Sequence, residues 1–125
     1  MKLEIESIGD VWIRALPGEV RQVLLNLIRN AYEASPREGS LIKVTLTGKE
    51  DAVEIVIADE GTGIAPAILP DLFQFGATTK GEQGNGMGLW CVKQIVIHHG
   101  GEINVTSKLG EGTQFTMLWP RNRAS

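Results

Sequence analysis

Cysteine is almost missing from this chain: Cys91 stands alone among 125 residues. A single thiol cannot staple a chain internally, so disulfides contribute nothing to the fold, and a reducing compartment is the simple expectation. Cys91 falls within a helical pattern and reads as small apolar filler. Long apolar runs are missing as well. None approaches the ~20 residues needed to cross a bilayer, and Met1 to Glu6 lack the pattern of a signal peptide. The chain also has no basic block. At a net charge of −3 it carries no electrostatic footprint for nucleic acid or an acidic membrane. These absences predict a cytoplasmic domain that contacts neither.

What is present suits one globular unit. Apolar residues make up 42% and charged residues 22% of the chain, values of a packed rather than a disordered domain. A chain of this length hides roughly two-thirds of its unfolded surface and can hold a core. Residues 1–125 therefore read as a single domain.

The hydrophobic pattern lays out the elements. Leu3 to Glu6 and Val11 to Ala15 alternate and predict two short strands. Pro17 suits the first turn of a helix, which should run to about Ser35, where Pro36 stops it. Leu41 to Thr47 and Ala52 to Asp59 are β-rich, with Gly48-Lys49-Glu50-Asp51 as a hairpin turn between them. Pro66 to Phe73 predicts a short helix. A polar, glycine-rich stretch fills Gln74 to Met87, a length that usually marks a functional or mobile loop. A helix should follow from Gly88 to His99 and end at Gly100 as a left-handed cap. Strands at Glu102 to Ser107 and Thr113 to Trp119 close the domain, joined by a turn at KLGEG. Locally pairing strands with three helices predict an α+β fold, one sheet covered on one face.

The first helix carries an unusual polar stripe. At about 100° per residue, Glu19, Gln22, Asn26, Asn30 and Glu33 fall within about 80° of one another. Val20, Val23, Leu24, Leu27, Ile28, Ala31 and Ala34 take the broad apolar face on one side; Leu25 and Tyr32 lie on the other. Asparagine is a poor helix-interior residue. Two of them, one turn apart and flanked by apolar surface, predict a ligand-facing strip. An amide oxygen is also a suitable hard ligand for magnesium.

Two glycine-rich segments predict further parts of a site. In DEGTGI, Asp59 ends an apolar strand and can accept a hydrogen bond from an amino group on a ligand. Gly61 and Gly63 let backbone approach a flat ring, and Ile64 can pack on one ring face. The plain alternative is a turn with a solvated acid. The second segment runs Gly84-Asn85-Gly86-Met87-Gly88-Leu89 into a helix. Bare backbone N–H groups at a helix start bind phosphate. No Lys-Ser or Lys-Thr follows, so this is not a Walker loop. The third glycine comes one residue too early for a dinucleotide fingerprint. Lys80, with Thr79 before it, can reach a terminal phosphate as a flexible point charge; an exposed loop lysine is the plain alternative.

In this order, the pieces resemble the ATP-binding catalytic domain of sensor histidine kinases, part of the gyrase/chaperone/histidine-kinase/mismatch-repair ATPase fold. RQVLLNLIRNAYEAS is similar to that family's N box, DEGTGI to its first glycine box and LFQFGATTK to its phenylalanine box. GNGMGLWCVKQIVIHHGGEI is similar to its second glycine box, and GEGTQFTMLWP to its closing strands. The resemblance spans about Gly9 to Pro120. It implies a two-layer α/β sandwich, a mixed sheet of about five strands under three helices, with a mobile lid loop. It implies ATP and Mg2+ as ligands. Asn30 would coordinate the metal, and Asn26 would line the phosphate region. Asp59 would recognise the adenine amino group, with Gly61 and Gly63 shaping the base pocket. Gly84, Gly86 and Gly88 would hinge the lid and meet phosphates, and Thr113 would support the adenine. Phe73 is the expected anchor of the phenylalanine box; Ile64, Thr79, Met87 and Leu89 complete the expected nucleotide contacts. Two departures stand out. Glu33 occupies a position where many members carry lysine or histidine, and Phe75-Gly76 replaces the common Pro-Phe.

ATPase relatives place a glutamate where this chain has Asn26. A carboxamide cannot act as a general base at neutral pH. Phosphoryl transfer by Asn26, Asn30 and Lys80 to another acceptor is therefore expected over hydrolysis. An ATPase, an anti-sigma-type serine kinase of the same fold and a non-catalytic nucleotide sensor are the alternatives. His98 and His99 read as helix-end residues favoured by the dipole, without the acidic neighbour of an acceptor motif. The phosphoacceptor histidine is expected upstream on a dimerisation domain, making this chain a fragment of a longer sensor kinase with a response regulator downstream.

Overall fold

The computed structural model describes residues 2–15, 17–34, 41–64, 66–67, 69–73 and 88–121. Strand β1 is Lys2–Ile8, followed by helix α1, Pro17–Ala34. Strands β2 (Leu41–Gly48) and β3 (Ala52–Asp59) form a hairpin closed by Lys49 N–H on the Ala52 carbonyl at 2.8 Å. Helix α2 is Gly88–His98, and strands β4 (Glu102–Lys108) and β5 (Gly112–Pro120) make a second hairpin. The sheet order is β1-β2-β3-β5-β4. Only β1 and β2 run parallel, as a strand–helix–strand crossover through α1 requires. The other neighbours are antiparallel, so the sheet is mixed.

Period-two alternation decides which face is covered. Ile42 and Val44, Val53, Ile55 and Ile57, and Phe115, Met117 and Trp119 are buried on one face. Against it pack Val23, Leu27 and Ala31 of α1 and Val92 and Val96 of α2, spaced at three and four residues. These residues form one core cluster with Leu72. Leu25 and Tyr32, the expected second apolar flank of the stripe, are instead 53% and 57% exposed. Only the Val23–Leu27–Ala31 face of α1 meets the sheet.

Three expectations change. Val11 to Ala15 form no strand. Gly9 turns the chain at φ 75°, and the Arg121 guanidinium then takes the carbonyls of Asp10 (2.8 Å) and Trp12 (3.1 Å). The same side chain bonds the Lys49 and Glu50 carbonyls and stacks 5.0 Å from the Trp12 ring, pinning three segments together. The expected third helix at Pro66 to Phe73 is a single 3-10 turn, Leu69–Asp71, so the described residues hold two α-helices. Pro70 has no N–H to close an α-turn onto Pro66, and Leu72 N–H bonds Leu69 instead at 3.2 Å. Third, the helix ends at His98, and His99 enters the core. Its ring is 1% exposed, lies 5.1 Å from Trp119, and its Nδ1 is 2.9 Å from the Ile95 carbonyl. Gly100, at φ 80°, is the expected left-handed cap, and Gly101 N–H bonds back to the Val96 carbonyl at 2.9 Å.

Candidate functional site

Along each of three adjacent strands the buried face ends in a polar residue. On β3 the series Val53, Ile55, Ile57 is continued by Asp59; on β4, Ile103 and Val105 are continued by Ser107; on β5, Thr113 precedes Phe115. Side chains two apart share a face, so all three point toward the helix layer. The register puts them at one end of the sheet: Ser107 faces Thr113, and the Ala58–Gln114 pairing sets Asp59 opposite Thr113.

Short hydrogen bonds knit this end. Asp59 Oδ1 accepts from Gly61 N–H at 2.8 Å and from Thr113 N–H at 3.3 Å. No bond to its second oxygen, Oδ2, is made among the described residues. Burial holds the Asp59 carboxyl above its ordinary value of 3.8, partly opposed by the two backbone donors. Ser107 Oγ accepts from Ile64 N–H at 2.8 Å, donates to the Gly112 carbonyl at 3.0 Å and lies 2.9 Å from Thr113 Oγ1. Thr113 is only 6% exposed.

The C-terminal end of α1 closes over the same loop. Thr62 N–H donates to the Ala34 carbonyl at 3.1 Å. Gly61 is buried there, and a Cβ on it would run into that carbonyl oxygen. Asn30, one turn earlier, and Asn26, two turns earlier, are half-buried on α1, while Glu33 is exposed. The structure therefore brings the C-terminal end of α1, one turn beyond Asn30, to the DEGTGI loop. Gly63 turns that loop at φ 76°, Ile64 packs at the edge of the core, and Glu60 Oε1 ties it to Leu41 N–H at 2.9 Å.

The other expected contacts arrive from the side of α2. Because α2 ends beside the start of β4, its first residue, Gly88, lies toward the end of the sheet that carries Ser107. Leu89 packs at the edge of the core. Phe73 stands edge-on to Phe115 with ring centroids 6.1 Å apart, and the Lys93 ammonium lies 5.5 Å from its ring. Thr79, Lys80, Gly84, Gly86 and Met87 lie outside the described residues. Among the described residues no three His, Cys, Asp or Glu side chains gather as a metal cage, and no helix is long and apolar enough to cross a membrane.

Ser107 and Gly112 are the site residues that motif reading passed over. The signal for Ser107 was a polar residue continuing the Ile103–Val105 alternation. Its meaning depends on pairing with β5, which one strand cannot reveal.

Known proteins are similar to this chain in sequence and in fold. The family described as histidine kinase-, DNA gyrase B-, and HSP90-like ATPase matches residues 15–123. The sensor protein SrrB of Staphylococcus aureus is 42% identical over 105 residues, covering 80% of this chain and 18% of SrrB. The chain thus spans under a fifth of the length of the curated relatives it matches. Among solved structures, the catalytic domain of the histidine kinase ThkA superposes with a TM-score of 0.85 at 28% identity, covering 98% of this chain and 80% of that one. The mycobacterial sensor histidine kinase MprB gives 0.81 at 28% identity, covering 98% and 84%. Full-length ShkA in complex with AMPPNP gives 0.80 at 29% identity, covering 98% of this chain and 26% of that one.

Proposed function

The chain belongs to the histidine kinase-, DNA gyrase B-, and HSP90-like ATPase family, and from that premise we propose that it is the ATP-binding catalytic domain of a two-component sensor histidine kinase. It binds ATP with magnesium and presents the γ-phosphate to a histidine on a dimerisation domain outside these residues. A response regulator then takes the phosphoryl group. The coverage of SrrB, 18% of its length, supports a module within a longer protein.

One observation carries the reading: Asp59 has one carboxylate oxygen held by two backbone donors, leaving the other for a ligand amino group. In the proposed site Asp59 takes the adenine amino group and Thr113 supports it. Gly61, Gly63 and Ile64 shape the base pocket. Gly88, with Gly84 and Gly86, offers backbone N–H groups to the phosphates at the start of α2. Phe73, Thr79, Met87 and Leu89 flank the nucleotide, and Lys80 meets the terminal phosphate.

A single amide fits magnesium only if the triphosphate supplies most of the shell, as this ion commonly requires. Asn30 would hold it, and Asn26 would line the same region. When bound, the ion neutralises charge developing on the phosphates. The chain's own contribution is positioning: it holds the γ-phosphate where an imidazole nitrogen of the partner domain attacks in line and ADP leaves. Asn26 favours transfer over hydrolysis, because an amide cannot take a proton from water.

The test is incubation with γ-labelled ATP and magnesium, with and without a separately prepared dimerisation-domain fragment. Label on the added fragment, and none on the chain alone, is the expected result. Released phosphate without the fragment identifies an ATPase instead, and label on a serine of a partner protein an anti-sigma-type kinase. Binding with neither product identifies a nucleotide sensor.

A further inference from the structure

The Ser107 hydroxyl has its full set of partners, and that fixes a proton on its neighbour. A hydroxyl has one hydrogen to give and two lone pairs to receive with. Carbonyls only accept, so the Ser107 hydrogen is committed to the Gly112 carbonyl at 3.0 Å. The Ile64 N–H, at 2.8 Å, can only donate, so it occupies one lone pair. The remaining contact, 2.9 Å to Thr113 Oγ1, must then run from Thr113 to Ser107. Thr113 has no second hydrogen. Toward anything else, its oxygen presents lone pairs alone.

Thr113 stands opposite Asp59, on the same face of the sheet, and its N–H bonds Asp59 Oδ1. Among the described residues, Asp59 Oδ2 and Thr113 Oγ1 therefore both present lone pairs at this end of the sheet. We propose that Ser107 is a positioning residue for base selectivity: by orienting the Thr113 hydroxyl it makes the pocket read an exocyclic amino group against a carbonyl. A 6-amino purine brings two hydrogens to this acceptor pair, directly or through a bound water. A 6-oxo purine brings an oxygen, which meets lone pairs. With Ser107 removed, Thr113 is free to turn its hydrogen toward that oxygen. The inference rests on the nucleotide-site reading above and deepens it.

The experiment compares ATP with inosine triphosphate, which carries a 6-oxo group and an N1–H where ATP has a 6-amino group and a bare N1, by calorimetric titration of the chain in magnesium. The wild type should prefer ATP. Ser107→Ala should narrow the ATP-to-inosine ratio by about three- to ten-fold, the size of one re-aimed neutral hydrogen bond, and Ser107→Thr should keep it wide. Thr113→Val should narrow the same ratio, and adding Ser107→Ala to it should change the ratio no further. The double variant separates positioning from loop anchoring, and where Ser107→Ala folds poorly, Thr113→Val alone tests the acceptor that Ser107 orients. A Ser107→Ala chain that loses affinity for both nucleotides equally, its ratio intact, overturns the inference while leaving the site reading in place. A wild type that binds neither nucleotide sinks the site reading, and this inference with it.

Discussion

Asp59→Asn separates stability from function at one atom. The native carboxylate keeps Oδ1 on Gly61 N–H at 2.8 Å and Thr113 N–H at 3.3 Å. An asparagine keeps that oxygen in place, because both neighbours are donors. Its NH2 then replaces Oδ2 and points a donor at the ligand's amino group. Losing a charge-assisted bond costs about 1.5–3 kcal/mol, or roughly 10- to 150-fold in ATP affinity, and two facing donors push the loss to the upper end. Stability should move the other way. Burial raises the Asp59 pKa above 3.8, so the folded chain holds an unwelcome charge that the unfolded chain hydrates. That group favours folding most below pH 3.8, and its contribution falls as pH rises through the raised native value. The amide has no such dependence. The melting temperature of Asp59→Asn relative to wild type should therefore climb with pH just above 3.8 and then level off. Thermal melts from acid to neutral pH and calorimetric titration with ATP–magnesium check both halves. Unchanged affinity, or a stability gain confined to the acid end, would refute the reasoning.

Three further outcomes are expected. Asn30→Ala should weaken ATP binding in magnesium by roughly 10-fold, the size of one bond to a charged group; titrated with excess chelator instead, variant and wild type should agree. Gly112→Ala should destabilise the fold by about 1–3 kcal/mol, because Gly112 sits at φ 128° and a Cβ would run into the Asp59 carbonyl oxygen. Denaturant melts measure that loss, and a midpoint equal to wild type would count against the description of this turn. Arg121→Lys should cost about 2 kcal/mol. It keeps the charge but loses the planar fork that reaches the carbonyls of Asp10, Trp12, Lys49 and Glu50. Proteolysis near Trp12 should quicken in parallel, and resistance equal to wild type would contradict the clamp.

Motif reading went furthest where the chemistry is local. Gly48 to Asp51 turned as expected because the bond from Lys49 to Ala52 lies within the turn. Gly100 capped α2 because its conformation depends on its own φ. The segment Val11 to Ala15 alternates like a strand, yet Arg121, over a hundred residues away, claims the Trp12 carbonyl and that of Asp10 just before it. His99 reads as a polar helix end, yet the ring is buried beside Trp119. Asp59 was legible as a candidate because it ends an apolar strand. That only one of its oxygens is held was not, since Thr113 lies 54 positions further on.

Periodicity, turn residues and caps are properties of neighbours in the chain, so the amino-acid order alone marked the five strands, the two long helices and the order of the motifs. It also marked a strand at Val11 to Ala15 and a helix at Pro66 to Phe73, which tertiary contacts and Pro70 replaced. The register between β3, β5 and β4 belongs to no single segment. It brings Asp59, Thr113 and Ser107 to one end of the sheet, and hydrogen-bond directions there follow from which donors and acceptors meet. Only the tertiary structure decided that, because a hydroxyl's proton is oriented by partners dozens of residues away.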